Sequence, residues 1–359
     1  MKRWAGIARF GGIGDNLVAG APLYMLKKLG YMTEMITAEP NHVVFINNPW
    51  IDKLSAHIPD KDLPQGDMLA WQKWFAGRAR TFDIFAHLSH SMEGKHAVFE
   101  HMTSFWWSDD ERRKICKGSY LETACDLAGG VPYEFDRLFY PTEEELGRAY
   151  RTREKIGGRF VAWCLSGSRI DKVYPYTAMV ICRILKELKV PVITFGAGEK
   201  ERSMAMAIQE HVKLQNSSLE GLHQALSNDG VPRGDDHHWD LRRSLTMCGI
   251  ADLYVGPDTG PSWAVSLDPI PKIIMVSHAS AENITKHWRN TVTLHADQNR
   301  VPCWPCHRLH NTPDTCVSNA QNNGAKCISD ISVDVLFEQV KAALARPAAD
   351  NVVPLRVAS

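Results

Sequence analysis

Four cysteines fall within 25 residues of the C-terminal half, at a spacing typical of a metal site: Cys303-x2-Cys306-x9-Cys316-x10-Cys327. A Cys-x-x-Cys turn directs two thiolates at one ion, and two later cysteines can complete a tetrahedral shell of four sulfurs. The residues between these cysteines are polar, so burial alone would not order the loop, whereas a bound metal would. The sequence predicts a structural metal site that holds zinc, with iron as the alternative because four sulfurs suit both ions.

Other interpretations of the four cysteines stay open. They could form two disulfides or remain as four reduced thiols, and His307 or His310 could replace one thiol as a ligand. The odd total of nine cysteines and the expected reducing compartment both argue against a disulfide framework. The remaining five are scattered through apolar surroundings typical of buried free cysteine: Cys116, Cys125, Cys164, Cys182 and Cys248.

A glycine-rich segment, Gly11-Gly12-Ile13-Gly14-Asp15, lies between a predicted strand and a predicted helix. Gly12 and Gly14 allow close backbone approach, and the helix start offers free N–H groups to an anion or a hydroxyl-bearing ligand. Leu17 occupies the third glycine position of a dinucleotide fingerprint, so a nicotinamide cofactor is not favoured. Asp15 is either a helix cap or a general base at the rim of a cleft.

Two further turns follow predicted strands, where parallel sheets bind ligands. In the segment Gly256–Pro261, Thr259, Gly260 and the next N–H groups could hold a diphosphate at a helix start, or form an ordinary turn. In the segment 166–172, Ser166, Ser168 and Lys172 have side chains that suit phosphate oxygens. On its own, Lys172 would be interpreted as a surface lysine.

Strands alternate with helices along the chain, which predicts parallel sheets and an α/β fold. We expect two Rossmann-like, doubly wound domains facing a cleft, with their boundary near 155. The N-terminal domain would span 1–155 and the C-terminal domain 156–346, with a cysteine-rich insertion at 301–328 and a flexible tail at 347–359. The predicted elements are strands at 7–10, 33–39, 82–89, 159–165, 190–196, 251–257 and 271–278 and helices at 16–30, 142–158, 174–188, 199–212, 241–251, 261–267 and 331–345. The stretch between the strands at 33–39 and 82–89 has no pattern that orders it, and residues 90–140 hold more helix than strand.

Composition excludes several classes of protein. The chain has 359 residues with 41 Lys and Arg against 41 Asp and Glu, and 44% of its residues are hydrophobic. These values are those of a globular protein rather than a disordered, collagen-like or disulfide-rich chain. The sequence has no apolar run long enough to span a membrane, so we expect a cytoplasmic protein that could be peripheral at the inner membrane face. Zero net charge makes nucleic acid the less favoured partner.

In combination, four segments resemble glycosyltransferase family 9, the ADP-heptose:lipopolysaccharide heptosyltransferases, which have a GT-B fold: GGIGDNLVAGAPLYMLKKLGY, SGSRIDKVYP, FGAGEKERSMA and ADLYVGPDTGPSWAVSL. The resemblance implies that Asp15 is the catalytic base and that Glu199 or Glu201 reaches the nucleoside. It also implies that other residues bind the donor, namely Ser166, Ser168 and Lys172 on one loop and Asp258, Thr259 and Gly260 on another. Some relatives in the wider family have a C-terminal insertion that resembles this cysteine-rich segment.

Two departures from the family pattern leave the donor open. The family usually has histidine three residues after the signature glycine, where this chain has Trp263, a residue that could stack on a sugar or base. The segment SHASAENITKHW replaces the usual glycine- and proline-rich loop, so the nucleotide could differ from ADP, although ADP is favoured.

The resemblance implies a reaction in which Asp15 deprotonates an acceptor hydroxyl as it attacks the anomeric carbon of a nucleoside-diphosphate sugar, inverting its configuration. The sugar would be a heptose or hexose, and no catalytic divalent metal is expected because the chain has no Asp-x-Asp motif. The acceptor could be a glycan, a protein or a modified nucleic-acid base. Five basic residues could contact its phosphates or simply form solvated faces, namely Arg78, Arg80, Arg112, Arg113 and Lys114. The alternative is a nucleotide-sugar-binding or epimerase-type protein of similar fold.

Overall fold

The computed structural model describes residues 2–89, 93, 95–215, 239–309 and 316–345, together with the backbone of 223–227. The predicted tail at 347–359 lies outside the described residues, as does His310. Two parallel sheets form the framework, and helices pack against them. The prediction of an α/β fold with parallel sheets is therefore confirmed. No helix in the described ranges is long and apolar enough to cross a membrane.

The first sheet has four parallel strands in the order β3-β2-β1-β4. Its strands come from the first 90 residues: β1 (Trp4–Ala8), β2 (Met32–Ala38), β3 (Lys53–His57) and β4 (Ile84–His87). The central strand β1 pairs with β2 on one side and β4 on the other. The order reverses between β1 and β4, so a crevice opens beyond the carboxyl ends of these two strands.

The second sheet has six parallel strands in the order β11-β10-β9-β6-β7-β8. They are β6 (Val161–Cys164), β7 (Val192–Gly196), β8 (His223–Ser227), β9 (Leu253–Pro257), β10 (Lys272–Met275) and β11 (Thr291–Leu294). Counted outward from the middle, this is the 3-2-1-4-5-6 order of a Rossmann fold, and its switch point lies between β6 and β9. Strand β6 is buried along its whole length, as expected where helices cover both faces.

A two-stranded parallel ladder connects the middle of the chain to the cysteine-rich segment. It pairs β5 (Val98–Phe99) with β12 (Arg308–Leu309).

The helices, in chain order, are α1 (Ile13–Ala19), α2 (Leu23–Lys28), α3 (Met68–Ala79), α4 (Asp109–Ile115), α5 (Tyr120–Leu127), α6 (Glu143–Lys155), α7 (Thr177–Arg183), α8 (Glu199–Gln215), α9 (Leu241–Gly249), α10 (Gly260–Val265), α11 (Ala281–Ile284), α12 (Lys326–Ser329) and α13 (Val333–Ala345). The division at 155 stays a prediction.

The prediction of one helix at 16–30 is wrong, because the segment contains two helices. Helix α1 ends at Ala19, and Pro22 precedes α2. Proline has no N–H to continue the hydrogen-bond ladder of α1, but its fixed φ suits a helix start. The helix also begins three residues earlier than expected, so Asp15 lies inside its first turn and Gly12 is the capping residue.

The first strand also lies earlier than the predicted 7–10. Strand β1 ends at Ala8, and although the Arg9 N–H still reaches the carbonyl of Ile36 at 3.0 Å, the Phe10 N–H donates to the Ser89 hydroxyl at 3.0 Å. Pairing between strands therefore ends where the chain turns toward the glycines. The stretch between the predicted strands at 33–39 and 82–89, for which the sequence predicts no elements, contains β3 and α3. Helix α3 has no buried residue, so it lacks the apolar face that would have marked it as a helix.

Candidate functional site

A cleft of about 780 Å³ lies between the switch points of the two sheets. That volume is within the ordinary range for small-molecule sites. Its walls are the loops that follow β1, β6 and β9, together with the start of α8. Eleven of the twelve predicted catalytic and donor residues line it, namely Gly12, Gly14, Asp15, Ser166, Ser168, Lys172, Glu201, Asp258, Thr259, Gly260 and Trp263.

The loops after β1 and β9 meet at the floor of the cleft because both carry glycine at the point of contact. A Cβ on Gly14 would lie 3.0 Å from Cδ1 of Trp263, and a Cβ on Gly260 would lie 2.9 Å from Cγ2 of Ile13. Any side chain at either position would push the two loops apart. These glycines bring the starts of α1 and α10 together across the cleft.

Asp15 is the exposed carboxylate of the N-terminal wall, with 43% of its side chain accessible. Its Oδ2 accepts a hydrogen bond from the Gly12 N–H at 3.1 Å, and its Oδ1 lies 3.2 Å from Nη2 of Arg9. Arg9 is buried and also pairs with Glu93 at 3.3 Å. The carboxylate of Asp15 is thus oriented by two donors and remains open to the cleft, so it has both a capping contact and access to a ligand.

Asp258 is the buried carboxylate of the C-terminal wall. Its Oδ2 accepts from Nζ of Lys172 at 3.0 Å and its Oδ1 from Nε1 of Trp263 at 2.8 Å. Burial alone would raise the pKa of Asp258, but Lys172, His278 and Arg169 hold it below its ordinary value. Lys172 also donates to the main-chain oxygen of Asp258 at 2.6 Å, so two of its three donors hold this loop and one remains for a ligand.

Trp263 follows Gly260 by three residues in α10 and is only 3% exposed. It stacks parallel to Tyr120, with ring centroids 6.1 Å apart, and meets Trp288 edge-on at 4.8 Å. In this packing, Trp263 has no exposed ring face on which a sugar or base could stack, contrary to the expectation from the sequence. Its indole N–H instead orients Asp258.

The alternatives Glu199 and Glu201 are separated by the structure. Glu201 lines the cleft and accepts a hydrogen bond from the Ser166 hydroxyl. Glu199 is not among the cleft-lining residues, and its carboxylate pairs with Arg202 at 2.7 Å. Ser168 is exposed at the cleft.

Sequence reasoning missed four residues of the cleft with acidic, basic or imidazole side chains, namely Glu93, Arg169, Lys200 and His278. Glu93 follows β4 and His278 follows β10, and neither belongs to a glycine-rich turn. Arg169 lies between Ser168 and Lys172, where its place in the predicted phosphate loop was the only available signal. Together these residues give the C-terminal wall the cations Arg169, Lys172 and Lys200.

The four predicted metal ligands line a second, smaller cavity of about 30 Å³. A space of this size has room for one ion or water. Burial raises the pKa of each thiol, to about 12 for Cys306 and Cys316. All nine cysteines of the chain fall in the described part, and each is a free thiol there.

The structure does not contain a ready-formed metal centre. Within the described ranges, no group of three or more His, Cys, Asp or Glu side chains is arranged to hold a metal ion. His307, one of the alternative ligands, has its Nδ1 2.9 Å from the main-chain oxygen of His96 and is not part of the cavity wall. The metal site remains a prediction that rests on donor chemistry and on the shared cavity.

Arg112 and Arg113 are not free to bind acceptor phosphates in this structure. Arg112 is fully buried, and its Nε donates to the main-chain oxygen of Cys306 at 2.7 Å. Arg113 donates to the main-chain oxygens of Pro302 and Trp304. Both guanidinium groups therefore hold the cysteine-rich loop, and the expectation of an acceptor site there is wrong for these two residues.

Comparison with known proteins gives a clear result for structure and none for sequence. No protein-family model and no curated protein matches the chain. A family 9 glycosyltransferase from Veillonella parvula DSM 2008 superposes with a TM-score of 0.63 at 12% identity, covering 96% of this chain and 97% of that one. The E. coli ADP-heptose lps heptosyltransferase II gives 0.59 at 11% identity, with 96% and 98% covered.

A third solved structure is the iron-containing dodecameric glycosyltransferase TibC from enterotoxigenic E. coli H10407. It gives a TM-score of 0.51 at 11% identity and covers 96% of this chain and 77% of its own. Similarity at this level of identity establishes a shared fold. The predicted likeness to family 9 and its GT-B fold is confirmed in that sense: this chain has the fold of the family 9 glycosyltransferases and of the ADP-heptose heptosyltransferases.

Proposed function

We propose that this chain is an inverting glycosyltransferase that moves a sugar from a nucleoside-diphosphate donor to an acceptor hydroxyl. The observation that carries the proposal is the meeting of two unlike walls across one cleft. One wall presents an accessible carboxylate, Asp15, and the other presents Arg169, Lys172 and Lys200. A carboxylate suits a hydroxyl that must lose a proton, and a cationic wall suits a diphosphate that gains negative charge as it leaves.

In this proposal, Asp15 accepts the proton of the acceptor hydroxyl while that oxygen attacks the anomeric carbon. Arg9 and the Gly12 N–H orient the carboxylate, at 3.2 and 3.1 Å. One in-line displacement inverts the anomeric configuration. Held by these two contacts, the carboxylate would contribute through its proximity to the hydroxyl.

The donor's diphosphate would bind against the loops after β6 and β9, where Lys172, Thr259 and Gly260 lie. Lys172 has one donor beyond those that hold Asp258, and charge developing on the leaving group would be met by this donor and by N–H groups after Asp258. Glu201 lies on the same side and suits the hydroxyls of a nucleoside. We favour ADP as the nucleotide because heptosyltransferase II, which shares this fold, is an ADP-heptose enzyme.

The first experiment is a panel of ADP-, UDP- and GDP-linked sugars with release of free nucleoside diphosphate as the readout. A transferase releases nucleoside diphosphate slowly when it transfers the sugar to water, and faster when an acceptor is present. An epimerase-type enzyme would convert the sugar without releasing nucleotide, and a binding protein would take up the donor without turnover. Either of those results would replace the proposal with its alternative. Adding heptose- and hexose-linked donors to the panel, and then glycan, protein and nucleic-acid acceptors, would identify the sugar and the acceptor.

We also propose that Cys303, Cys306, Cys316 and Cys327 hold a structural metal ion. Support comes from their common cavity, from the polar loop they bracket and from the iron of TibC, which makes iron the first ion to test beside zinc. A bound metal would supply a cross-link that orders the loop, and four thiolates would leave it no open position for substrate. Binding must displace protons from the buried thiols, so metal affinity would rise with pH.

Elemental analysis of purified protein tests the metal proposal. We expect about one zinc or iron per chain, falling sharply in Cys303→Ser and Cys327→Ser. Cys182→Ser is the matched control, because Cys182 is also a buried thiol but does not line the cysteine cavity, so the variant should leave metal content unchanged. Metal-free protein with all four thiols titratable would contradict the proposal.

A further inference from the structure

A chain of polar contacts joins the cysteine cavity to the donor cleft through Asp171. This residue is 1% exposed and lines the cysteine cavity. Its Oδ1 accepts from Nε of Arg169 at 3.1 Å and its Oδ2 from the Ser277 hydroxyl at 2.9 Å. Burial alone would raise the pKa of Asp171, but His278 and Arg169 hold it well below its ordinary value. Asp171 is therefore an ionised anchor for Arg169.

His278 lies at the boundary of both cavities. Its Nδ1 is 3.2 Å from Oδ2 of Asp171 and 3.2 Å from Nη2 of Arg169. One ring nitrogen either donates to the carboxylate or accepts from the guanidinium, so the imidazole serves one of these partners at a time. In both cases the ring holds Asp171 and Arg169 in a single cluster.

The same cluster is attached to the cysteine-rich loop through main-chain hydrogen bonds. The N–H of His307, the residue after Cys306, donates to the main-chain oxygen of His278 at 2.7 Å. Arg112 holds the other side of this loop by donating to the main-chain oxygen of Cys306 at 2.7 Å. The residue that follows Cys306 is therefore bonded directly to the main chain of His278.

Arg169 is the member of the cluster that reaches the donor cleft. Its Nε and Nη2 are engaged by Asp171 and His278, and no residue in the described ranges accepts a hydrogen bond from its Nη1. Guanidinium groups bind phosphate oxygens in fixed geometry, so their value depends on how firmly they are held.

We propose that Arg169 contacts the diphosphate of the donor, and that Asp171 and His278 are positioning residues that hold it under the control of the cysteine-rich loop. This inference rests on the proposed function, because it assigns a further contact to the same donor site. The proposal has a specific consequence. Disordering the cysteine-rich loop should lower the affinity for the diphosphate and leave the affinity for the nucleoside unchanged.

The test compares ADP with AMP by calorimetric titration, because their difference in affinity isolates the terminal phosphate. We expect the preference for ADP over AMP to fall about tenfold in Arg169→Ala and in Asp171→Asn, the usual worth of a charged hydrogen bond. Asp252→Asn is the matched control: Asp252 also pairs with a partly buried arginine, Arg153 at 2.9 Å, but does not line the cleft, and the preference of this variant should equal that of the wild type.

A double-mutant cycle separates positioning from a merely structural role. If Asp171 acts through Arg169, Asp171→Asn causes no further loss in an Arg169→Ala background, whereas independent effects multiply. His278→Asn keeps a hydrogen-bonding group near the position of Nδ1 and should retain most of the preference, whereas His278→Leu should lose it. Cys303→Ser should weaken ADP binding in the wild-type background and not beside Arg169→Ala.

The outcomes are distinct. If wild type binds ADP and both Asp171→Asn and His278→Leu keep its preference for ADP over AMP, the inference is overturned while the proposed function stands. Multiplicative losses in the cycle also overturn it. If wild type binds ADP, UDP and GDP no better than the corresponding monophosphates, the proposed donor site itself fails. Should Asp171→Asn not fold, the His278 pair decides the result.

Discussion

Asp15 and Asp258 occupy comparable loops, each after the central strand of a parallel sheet and beside the start of a short helix, yet their surroundings are opposite. Asp15 has 43% of its side chain accessible, whereas Asp258 has 8%. Asp15 is held by one arginine and one N–H, and Asp258 is fixed by Lys172 and Trp263. Similar turns can therefore leave a carboxylate accessible to a ligand or bury it as a fixed partner of a lysine and a tryptophan.

The largest effect is expected at Asp15. Asp15→Asn removes the proton acceptor but keeps the shape of the side chain, so kcat for sugar transfer should fall by about 10²–10⁴-fold. The affinity for ADP should change little, because Asp15 lies on the opposite wall. Steady-state kinetics and calorimetry check the two parts.

Asp334→Asn is the matched control for that change. Asp334 also lies in the first turn of a helix and pairs with an arginine, Arg183 at 2.7 Å, but it is exposed outside the cleft. Its kcat should equal that of the wild type. A variant Asp15→Asn with undiminished turnover would end the assignment of Asp15 as the base.

Asp258→Asn should instead cost stability. The substitution leaves the partly buried ammonium of Lys172 without its anionic partner, which destabilises a folded protein by about 3 kcal/mol. Chemical unfolding of the variant measures this loss, and Asp15→Asn in the same assay should lose about 1 kcal/mol or less because its pair is exposed. Equal losses in the two variants would remove the contrast drawn between the loops.

The stability gap between wild type and Asp258→Asn should depend on pH. The pKa of Asp258 is lowered on folding from its ordinary value of 3.8, so its ionised form stabilises the folded state. The contribution is complete above the ordinary value and is lost as pH falls through the lowered folded value. The gap should therefore be constant near neutral pH and close in acid. A gap that widens as pH falls would contradict the assigned sign.

The smallest effect concerns the indole of Trp263. Trp263→Phe removes the hydrogen bond from Nε1 to Asp258, worth about 1.5 kcal/mol, together with some packing. Trp288→Phe is the control, because Nε1 of Trp288 is buried and no residue in the described part of the chain accepts from it. The first variant should be less stable than the second by roughly that hydrogen bond, and a difference near zero would mean that the indole N–H does not hold Asp258.

Local signals predicted much of the framework. Buried strands followed by glycines or small polar residues marked the loops after β1, β6 and β9, and these loops do converge on the cleft. Parallel sheets bring the carboxyl ends of their strands together, so residues far apart in sequence could be placed at one site. The split of the predicted helix at 16–30 shows where such reasoning fails. Apolar residues have helical spacing on both sides of Pro22, and this spacing concealed the break between the two helices.

Long-range contacts were beyond prediction. Asp171 and His278 meet across 107 positions, and neither lies in a motif that marks a partner. Arg112 and Arg113 were interpreted as surface charge because a sequence does not show that a buried guanidinium can be satisfied by main-chain oxygens 189–194 residues away. Trp263 was taken as a stacking surface, since its role as a hydrogen-bond donor depends on the position of Asp258.

The most direct test of the account is the anomeric configuration of the sugar released from the donor that the panel identifies. Proton NMR at early times, before the free sugar equilibrates, resolves the two anomers. A single displacement by an oxygen activated by Asp15 predicts that the first product has the configuration opposite to that of the donor. A first product with the donor's own configuration would contradict the account, because retention requires a second displacement.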